Sequence, residues 1–395
     1  MSAATIAEVA ADVMRMARTL ALPPPPRRRR ASQPPAGNLY TSRVTASEIK
    51  ARAAELGFEL CGIAPVAAHK ELGFLSEWLA RGYAGEMQYL GRTAERRADV
   101  RAVMPSARSV ICLGTVYNTN RPYSTEIADP SAALIARYAW GDDYHEVIHQ
   151  RMDALVAWMR ERGGADLELR AYVDTGPVQE RVYAQHAGLG WIAKNTCVIN
   201  PDIGSWIFLS EIICSLPLEP DSPALDQCGT CQLCIDSCPT GAIVEPYVLD
   251  STLCLSYLTI ELKGEIPIHQ RETVGNHAYG CDVCQEVCPW NAQPTEDDEA
   301  GTPWLPRAVF DGRTLADLWR TPDAELRAAL KRSAMTRAGV RRLRRNVAVC
   351  AGATGDANAL TALREVSEPT CDDPVVAEHV HWALDLHSGH SGSGL

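Results

Sequence analysis

The stretch CGTCQLCIDSCPTGAIVEP, residues 228–246, sets Cys228, Cys231, Cys234 and Cys238 in C-x2-C-x2-C-x3-C-P register. A second run, YGCDVCQEVCPW, sets Cys281, Cys284 and Cys288 ahead of Pro289, and Cys254 stands alone between the runs in STLCLSYL. Zinc ribbons use two C-x2-C pairs. Three cysteines at intervals of three, with a fourth four residues on and proline behind it, match instead the corners of an iron–sulfur cubane. Paired structural zinc sites are the alternative. In two-cluster ferredoxins the fourth cysteine of each run crosses to the other cluster. Cys228, Cys231, Cys234 and Cys288 are then expected to hold one [4Fe–4S] cluster, and Cys281, Cys284 and Cys238 the other, which is one ligand short. Cys254 is the candidate for the missing place. The remaining cysteines, Cys61, Cys112, Cys197, Cys214, Cys350 and Cys371, stand mostly among apolar residues and read as buried thiols.

Two clusters fill only a small part of 395 residues, so the rest of the chain must spend the electrons. The most informative polar stretch is AYVDTGPVQERVYAQHAGLGWIAKNTCVIN, residues 171–200. Asp174 ends an apolar strand before Thr-Gly-Pro, where a carboxylate can project from a sheet edge into a pocket or simply cap a helix. Lys194, Asn195 and Thr196 follow a glycine-bearing turn, either as contacts to an anionic or amide-rich cofactor or as a solvated loop.

The elements that must position these residues read as an α/β region. ASEIKARAAELGF and DYHEVIHQRMDALVAWMRERGG carry helical spacing, with Val147, Met152, Leu155 and Met159 on one face, while SVICLGTVY and ELRAYVD are strand-like. No G-x-G-x-x-G follows a strand, so a Rossmann-type nicotinamide or flavin site has no local support. At 46% hydrophobic and 22% charged residues the chain has material for two or three domains with a sizeable core. No run of about 18 apolar residues is present, which argues against a membrane span. Residues 1–43, with PPPPRRRR and no apolar segment after it, read as a mobile extension and not an export signal, so a cytoplasmic location is expected.

The net charge of −11 argues weakly against a nucleic-acid partner, but local distribution matters more. KRSAMTRAGVRRLRRN, residues 331–346, contains Lys331, Arg332, Arg337, Arg341, Arg342, Arg344 and Arg345 and no acid. Helical spacing of three and four would gather several into a stripe suited to an RNA backbone. A solvated basic helix is the plainer reading.

Together these stretches resemble the epoxyqueuosine reductase family, from about residue 44 to 385. The resemblance rests on GDDYH at 141–145, VDTGPVQER at 173–181, AGLGWIAKN at 187–195, the first cysteine run through 250, LSYLTIELKGEIP at 255–267 and GNHAYGCDVCQEVCPWN at 275–291. It implies an α+β multidomain chain. The expected order is a mobile extension (1–43), an α/β cobalamin-binding domain of reductive-dehalogenase type (44–220), a ferredoxin-like two-cluster domain (221–300) and a helical HEAT-like region contacting tRNA (301–390). It implies reduction of epoxyqueuosine to queuosine at the tRNA wobble position by a monomer supplied by an external low-potential electron donor. Asp174 would be the general acid, with a pKa raised by burial beside the corrin. Cobalamin contacts would map to Arg97, Arg137, Asp174, Ser256 and Asp282, with the turn at Gly280 approaching the corrin.

Contacts to tRNA would come from Lys263, Arg337, Arg341, Arg342 and Arg344, with Tyr257 and Trp290 stacking bases or shielding clusters. Cobalamin enzymes that replace the lower base with a protein histidine carry D-x-H-x-x-G. Here Asp143-Tyr144-His145 lacks the glycine, so no histidine ligand is expected. The competing readings are a reductive dehalogenase of a small organohalide and a non-catalytic electron carrier. The missing export signal and the basic helix disfavour the first, and the second would need neither Asp174 nor a corrin pocket.

Overall fold

A computed structural model of the chain describes residues 44–291, 302–365 and 373–388. The extension 1–43 and Cys371 lie outside the described residues. The N-terminal region is built on a four-stranded sheet of β1 (Leu60–Pro65), β2 (Ser109–Val116), β3 (Leu169–Val173) and β4 (Ile207–Cys214), in the order β1-β2-β4-β3. All three pairings are antiparallel. The sheet thus lacks the parallel crossovers of a doubly wound fold, although helices cover both of its faces.

On one face lie α1 (Ala46–Glu55) and α2 (Tyr144–Gly163). α2 buries Ile148, Met152, Leu155, Val156 and Met159, a stripe at steps of three and four, against Ile111, Leu113, Val173, Phe208 and Ile212 of the sheet. The opposite face takes α3 (Glu180–His186), whose Val182, Tyr183 and Ala184 pack on Val110, Cys112 and Ile213. Asp143 caps α2 by accepting from the His145 amide at 3.0 Å, which fixes His145 in the first turn.

The cysteine runs fold around two single helical turns, Leu233–Asp236 and Val283–Glu286. The C-terminal helices are α4 (Leu315–Arg320), α5 (Asp323–Leu330), α6 (Gly339–Thr354), α7 (Ala357–Glu365) and α8 (Pro374–Leu386). They share one continuous core with Leu255, Leu258, Ile260, Val274 and Tyr279, so the expected boundary at 300 divides the sequence but not the packing. The basic stretch 331–346 is not one helix. Ala334–Arg337 form a 3-10 turn, Arg332 has φ 55°, and only residues from Gly339 onward belong to α6.

Candidate functional site

Asp174 follows the last residue of β3 with φ 55°, a left-handed conformation that is uncommon outside glycine. Its side chain stays 51% exposed, and its Oδ2 lies 3.6 Å from His145 Nε2. That is ion-pair distance, slightly long for a hydrogen bond. The other imidazole nitrogen, Nδ1, is 2.8 Å from Asp143 Oδ1. Burial works against a charged imidazole, but the two carboxylates outweigh it and hold His145 up at about 9. Burial likewise pushes the Asp174 carboxyl up. The nearness and positive charge of His145, then Tyr144 and Arg337, win and lower it. The expected upward shift is therefore corrected: unliganded Asp174 is a carboxylate facing an imidazolium. Tyr144 stacks on His145 at 4.1 Å, and Arg337 sits over the Tyr89 ring at 5.5 Å while paired with Glu261. The site is thus walled by the end of β3, the start of α2 and the Glu261–Arg337 pair.

Among the expected cofactor contacts, Arg97 is partly buried and spans Thr93 Oγ1 at 3.0 Å and the Val178 carbonyl at 2.8 Å. Arg137 does not offer its guanidinium to a ligand. It is fully buried, donates to Thr119, Arg121 and Pro122, and lies between the rings of Tyr123, Trp140 and Trp206. Its backbone amide binds buried Asp282 Oδ2 at 2.6 Å. Asp282 thus ties the second cysteine run to the α/β region. Gly280 has φ 70°, and a Cβ there would stand 2.5 Å from the Ala136 Cβ, so both conformation and close approach require glycine. Ser256 precedes a wide π-type turn, Tyr257–Glu261, and its hydroxyl does not cap it.

The thiols gather in two groups. Cys228, Cys231, Cys234 and Cys288 line one cavity of about 120 Å³, together with Lys194 and Trp290. Burial holds Cys234 up at about 11 and Cys288 at about 12, so only the positive charge of bound metal would draw the thiolates out. Cys238, Cys254, Cys281 and Cys284 form the other group, linked by mutual electrostatic influence. The Ser256 and Tyr257 amides point at the Cys254 sulfur, the surroundings a ligating thiolate needs. Partly buried Cys197, which sequence reasoning set aside, contacts Cys284. The four-thiol cavity fits a cubane. Among the described residues no His, Cys, Asp or Glu group is gathered that could hold a single metal ion.

Lys194 and Asn195 face the cysteine runs: Lys194 Nζ binds the carbonyls of Gly229 and Cys231, and Asn195 Nδ2 that of Cys284. Tyr257 is buried and accepts from the Glu86 amide, so it does not stack bases from outside. Of the basic set, Lys263, Arg337 and Arg341 reach the surface, the last paired with Asp373. Arg342 is half-buried, on the Ile260 carbonyl at 2.7 Å. Arg344 is corrected. It is 4% exposed and bound to Asp323 and the carbonyls of Leu318, Trp319 and Thr321, because its place on α6 faces α4 and α5.

In the sequence His145 reads equally as a polar group near the pocket or as a surface histidine at a helix start, and the structure sets it against Asp174; the Asp143 contact behind it had only GDDYH at a helix start as its signal. Glu180, pushed up to about 7 by burial and by Asp174, had no such signal.

A family model described as epoxyqueuosine reductase QueG (DUF1730) matches residues 97–175, and one described as a 4Fe-4S double cluster binding domain matches residues 227–291. The epoxyqueuosine reductase of Xanthomonas campestris is 40% identical over 347 residues, covering 87% of this chain and 96% of that one. That of Escherichia coli is 36% identical over 343 residues, covering 86% and 88%. A crystal structure of epoxyqueuosine reductase with a tRNA-Tyr epoxyqueuosine-modified stem loop superposes with TM-score 0.77 at 29% identity, over 86% of this chain and 89% of that one. The Streptococcus thermophilus epoxyqueuosine reductase superposes with TM-score 0.74 at 26% identity. With that likeness running through the sheet, the Asp174 site and both cysteine runs alike, this chain belongs to the epoxyqueuosine reductase family.

Proposed function

We propose that this chain reduces epoxyqueuosine to queuosine at the wobble position of tRNA. The observation that carries the reading is the superposition, over most of both chains, on a relative that holds an epoxyqueuosine-modified stem loop. Opening an epoxide to an alkene consumes two electrons and two protons and releases the oxygen as water. Two [4Fe–4S] clusters and cobalamin, when bound, supply the electrons. Cys228, Cys231, Cys234 and Cys288 would hold one cluster, and Cys238, Cys254, Cys281 and Cys284 the other. Cobalamin would lie against Asp174, Ser256 and the Gly280 turn. The half-exposed Asp174 carboxylate and the unpartnered His145 Nε2 are the open polar groups there.

Delivering the first of the two protons is this chain's own task, and the second reaches the leaving oxygen from solvent. His145, bound through Nδ1 to Asp143, presents Nε2–H toward Asp174. The pair holds one proton at neutral pH, passed to Asp174 Oδ2 and from there to the opening C–O oxygen. Arg337 and Arg341, with Lys263, would meet the phosphates of the anticodon arm, on a helical region we read as HEAT-type. The chain would act as a cytoplasmic monomer with an external low-potential donor. Among the described residues no helix is long and apolar enough to cross a membrane.

The test is anaerobic turnover: reconstituted protein, cobalamin and a low-potential reductant with epoxyqueuosine tRNA, digested and analysed by mass spectrometry. Loss of one oxygen from the nucleoside, dependent on cobalamin, is expected. Unchanged nucleoside from protein loaded with both clusters and the corrin would refute the proposal.

A further inference from the structure

Trp191 is completely buried, and its indole Nε1 donates to Cys228 Sγ at 3.4 Å. The Lys194 backbone amide faces the same sulfur. The Lys194 side chain, also buried, donates through Nζ to the Gly229 carbonyl at 2.7 Å and the Cys231 carbonyl at 2.9 Å, within the same cysteine loop. Trp290 meets Trp191 edge to face at 5.0 Å and lines the four-thiol cavity with Lys194. Trp191 and Lys194 belong to the chain ahead of the cysteine runs, from the short ribbon that pairs Trp191–Ile192 with Val198–Ile199. The α/β region therefore reaches across to grip the first cysteine loop.

A thiol is a weak acceptor for a buried indole N–H, whereas a thiolate on iron carries the charge that makes such a bond strong. Hydrogen bonds to the sulfurs, net charge and solvent exposure set the potential of an iron–sulfur centre. A donor on the sulfur and a lysine's positive charge both favour the reduced form, which carries one more negative charge. Cys231 is the exposed member of this set, whereas Cys254, Cys281 and Cys284 are at most partly exposed. The first cluster is thus the one nearer an outside donor.

We propose that Trp191 and Lys194 are positioning residues that raise the reduction potential of the cluster held by Cys228, Cys231, Cys234 and Cys288, so that it accepts each electron from the external one-electron donor. The step moves one electron per cluster and no proton. It rests on the cluster assignment made above, and its readout does not depend on tRNA turnover.

The test is an anaerobic redox titration of the reconstituted holoenzyme followed by electron paramagnetic resonance. Trp191→Phe keeps the buried ring and loses the N–H, and Lys194→Met keeps the stem and loses the charge. Each is expected to lower one midpoint by about 59 mV, a tenfold loss in the one-electron reduction equilibrium, while the other midpoint stays in place. Full iron content with both midpoints unmoved in both variants would overturn the proposal.

A second measurement needs neither variant. In wild-type protein carrying ¹⁵N-indole tryptophan, the reduced cluster is expected to show a ¹⁵N coupling by electron–nuclear double resonance that survives Trp290→Phe. Absence of that coupling overturns the indole bond. Protein that assembles no cluster overturns the cofactor reading together with this one. Lowered midpoints in protein that leaves epoxyqueuosine untouched would uphold it and sink only the proposed function.

Discussion

At the scale of single residues, the proton chemistry turns on a contest between burial and charge. Asp174 and His145 are each partly withdrawn from water, which alone would favour the neutral form of both. Facing each other, and with Asp143 behind, they are charged instead. Asp174→Asn is expected to cost a factor of about 10² to 10⁴ in turnover while iron and cobalamin content stay unchanged. Retained turnover would remove Asp174 from the chemistry. In the same variant the His145 titration, followed by NMR in the apoprotein, falls from about 9 because one of its two carboxylate neighbours is gone and burial gains weight. A titration that stays put would mean Asp143 alone sustains it.

The sign for stability follows. His145 binds its proton more tightly folded than unfolded, so its contribution is fully present below its ordinary value of 6.5 and is lost as pH rises through about 9. The melting temperature of wild-type apoprotein should therefore fall across that window, with a shallower fall in His145→Gln.

At the scale of elements, α6 illustrates how one run of arginines divides its labour. Arg345 is completely buried and donates to the carbonyls of Leu258, Leu262 and Gly264, while Asn346 beside it binds those of Thr259 and Ala278. These two residues pin the helix to the segment that carries Cys254 and the Gly280 turn. Removing Arg345 leaves several buried carbonyls unpaired at once, each a costly loss. Arg345→Ala should destabilise the protein by about 3 kcal/mol or more, read from denaturant unfolding. Arg341, one turn earlier and exposed, pairs with Asp373 at the surface, where such pairs contribute little. Arg341→Ala should change stability by no more than about 0.5 kcal/mol. Equal losses in the two variants would refute this division.

At the scale of the whole molecule, an acidic chain of net charge −11 must still approach a polyanion. Lys263, Arg337 and Arg341 are the basic side chains of the expected set that the fold leaves at the surface. If they contact phosphates, each substitution to alanine weakens tRNA binding and reduces the slope of log affinity against log salt by about 1. An unaltered slope for all three would place the RNA elsewhere.

Much of this organisation was legible in the sequence, for identifiable reasons. The cysteine spacings encode cluster ligation locally, since each run supplies three corners from neighbouring turns. The crossing of Cys288 to the first cluster follows from the ferredoxin rule, and Cys288 lines one cavity with Cys228, Cys231 and Cys234. Helix α2 declared itself through the period of its apolar residues, whereas the strand-end place of Asp174 was equally that of a helix cap and only the resemblance carried by VDTGP singled it out. The tertiary structure decided what depends on neighbours distant in the chain. Arg137 and Arg344 read as free cations until the fold surrounded them with carbonyls, aromatic rings and, for Arg344, a carboxylate. Lys194 read equally as a cofactor contact or as part of a solvated loop until the fold bound it to the carbonyls of the first cysteine loop. The sign of the Asp174 shift was set by His145, 29 residues earlier in the numbering. Ligand spacing and apolar period are properties of adjacent residues and survive in one dimension. The direction a long polar side chain takes, and the charge it meets there, exist only after packing.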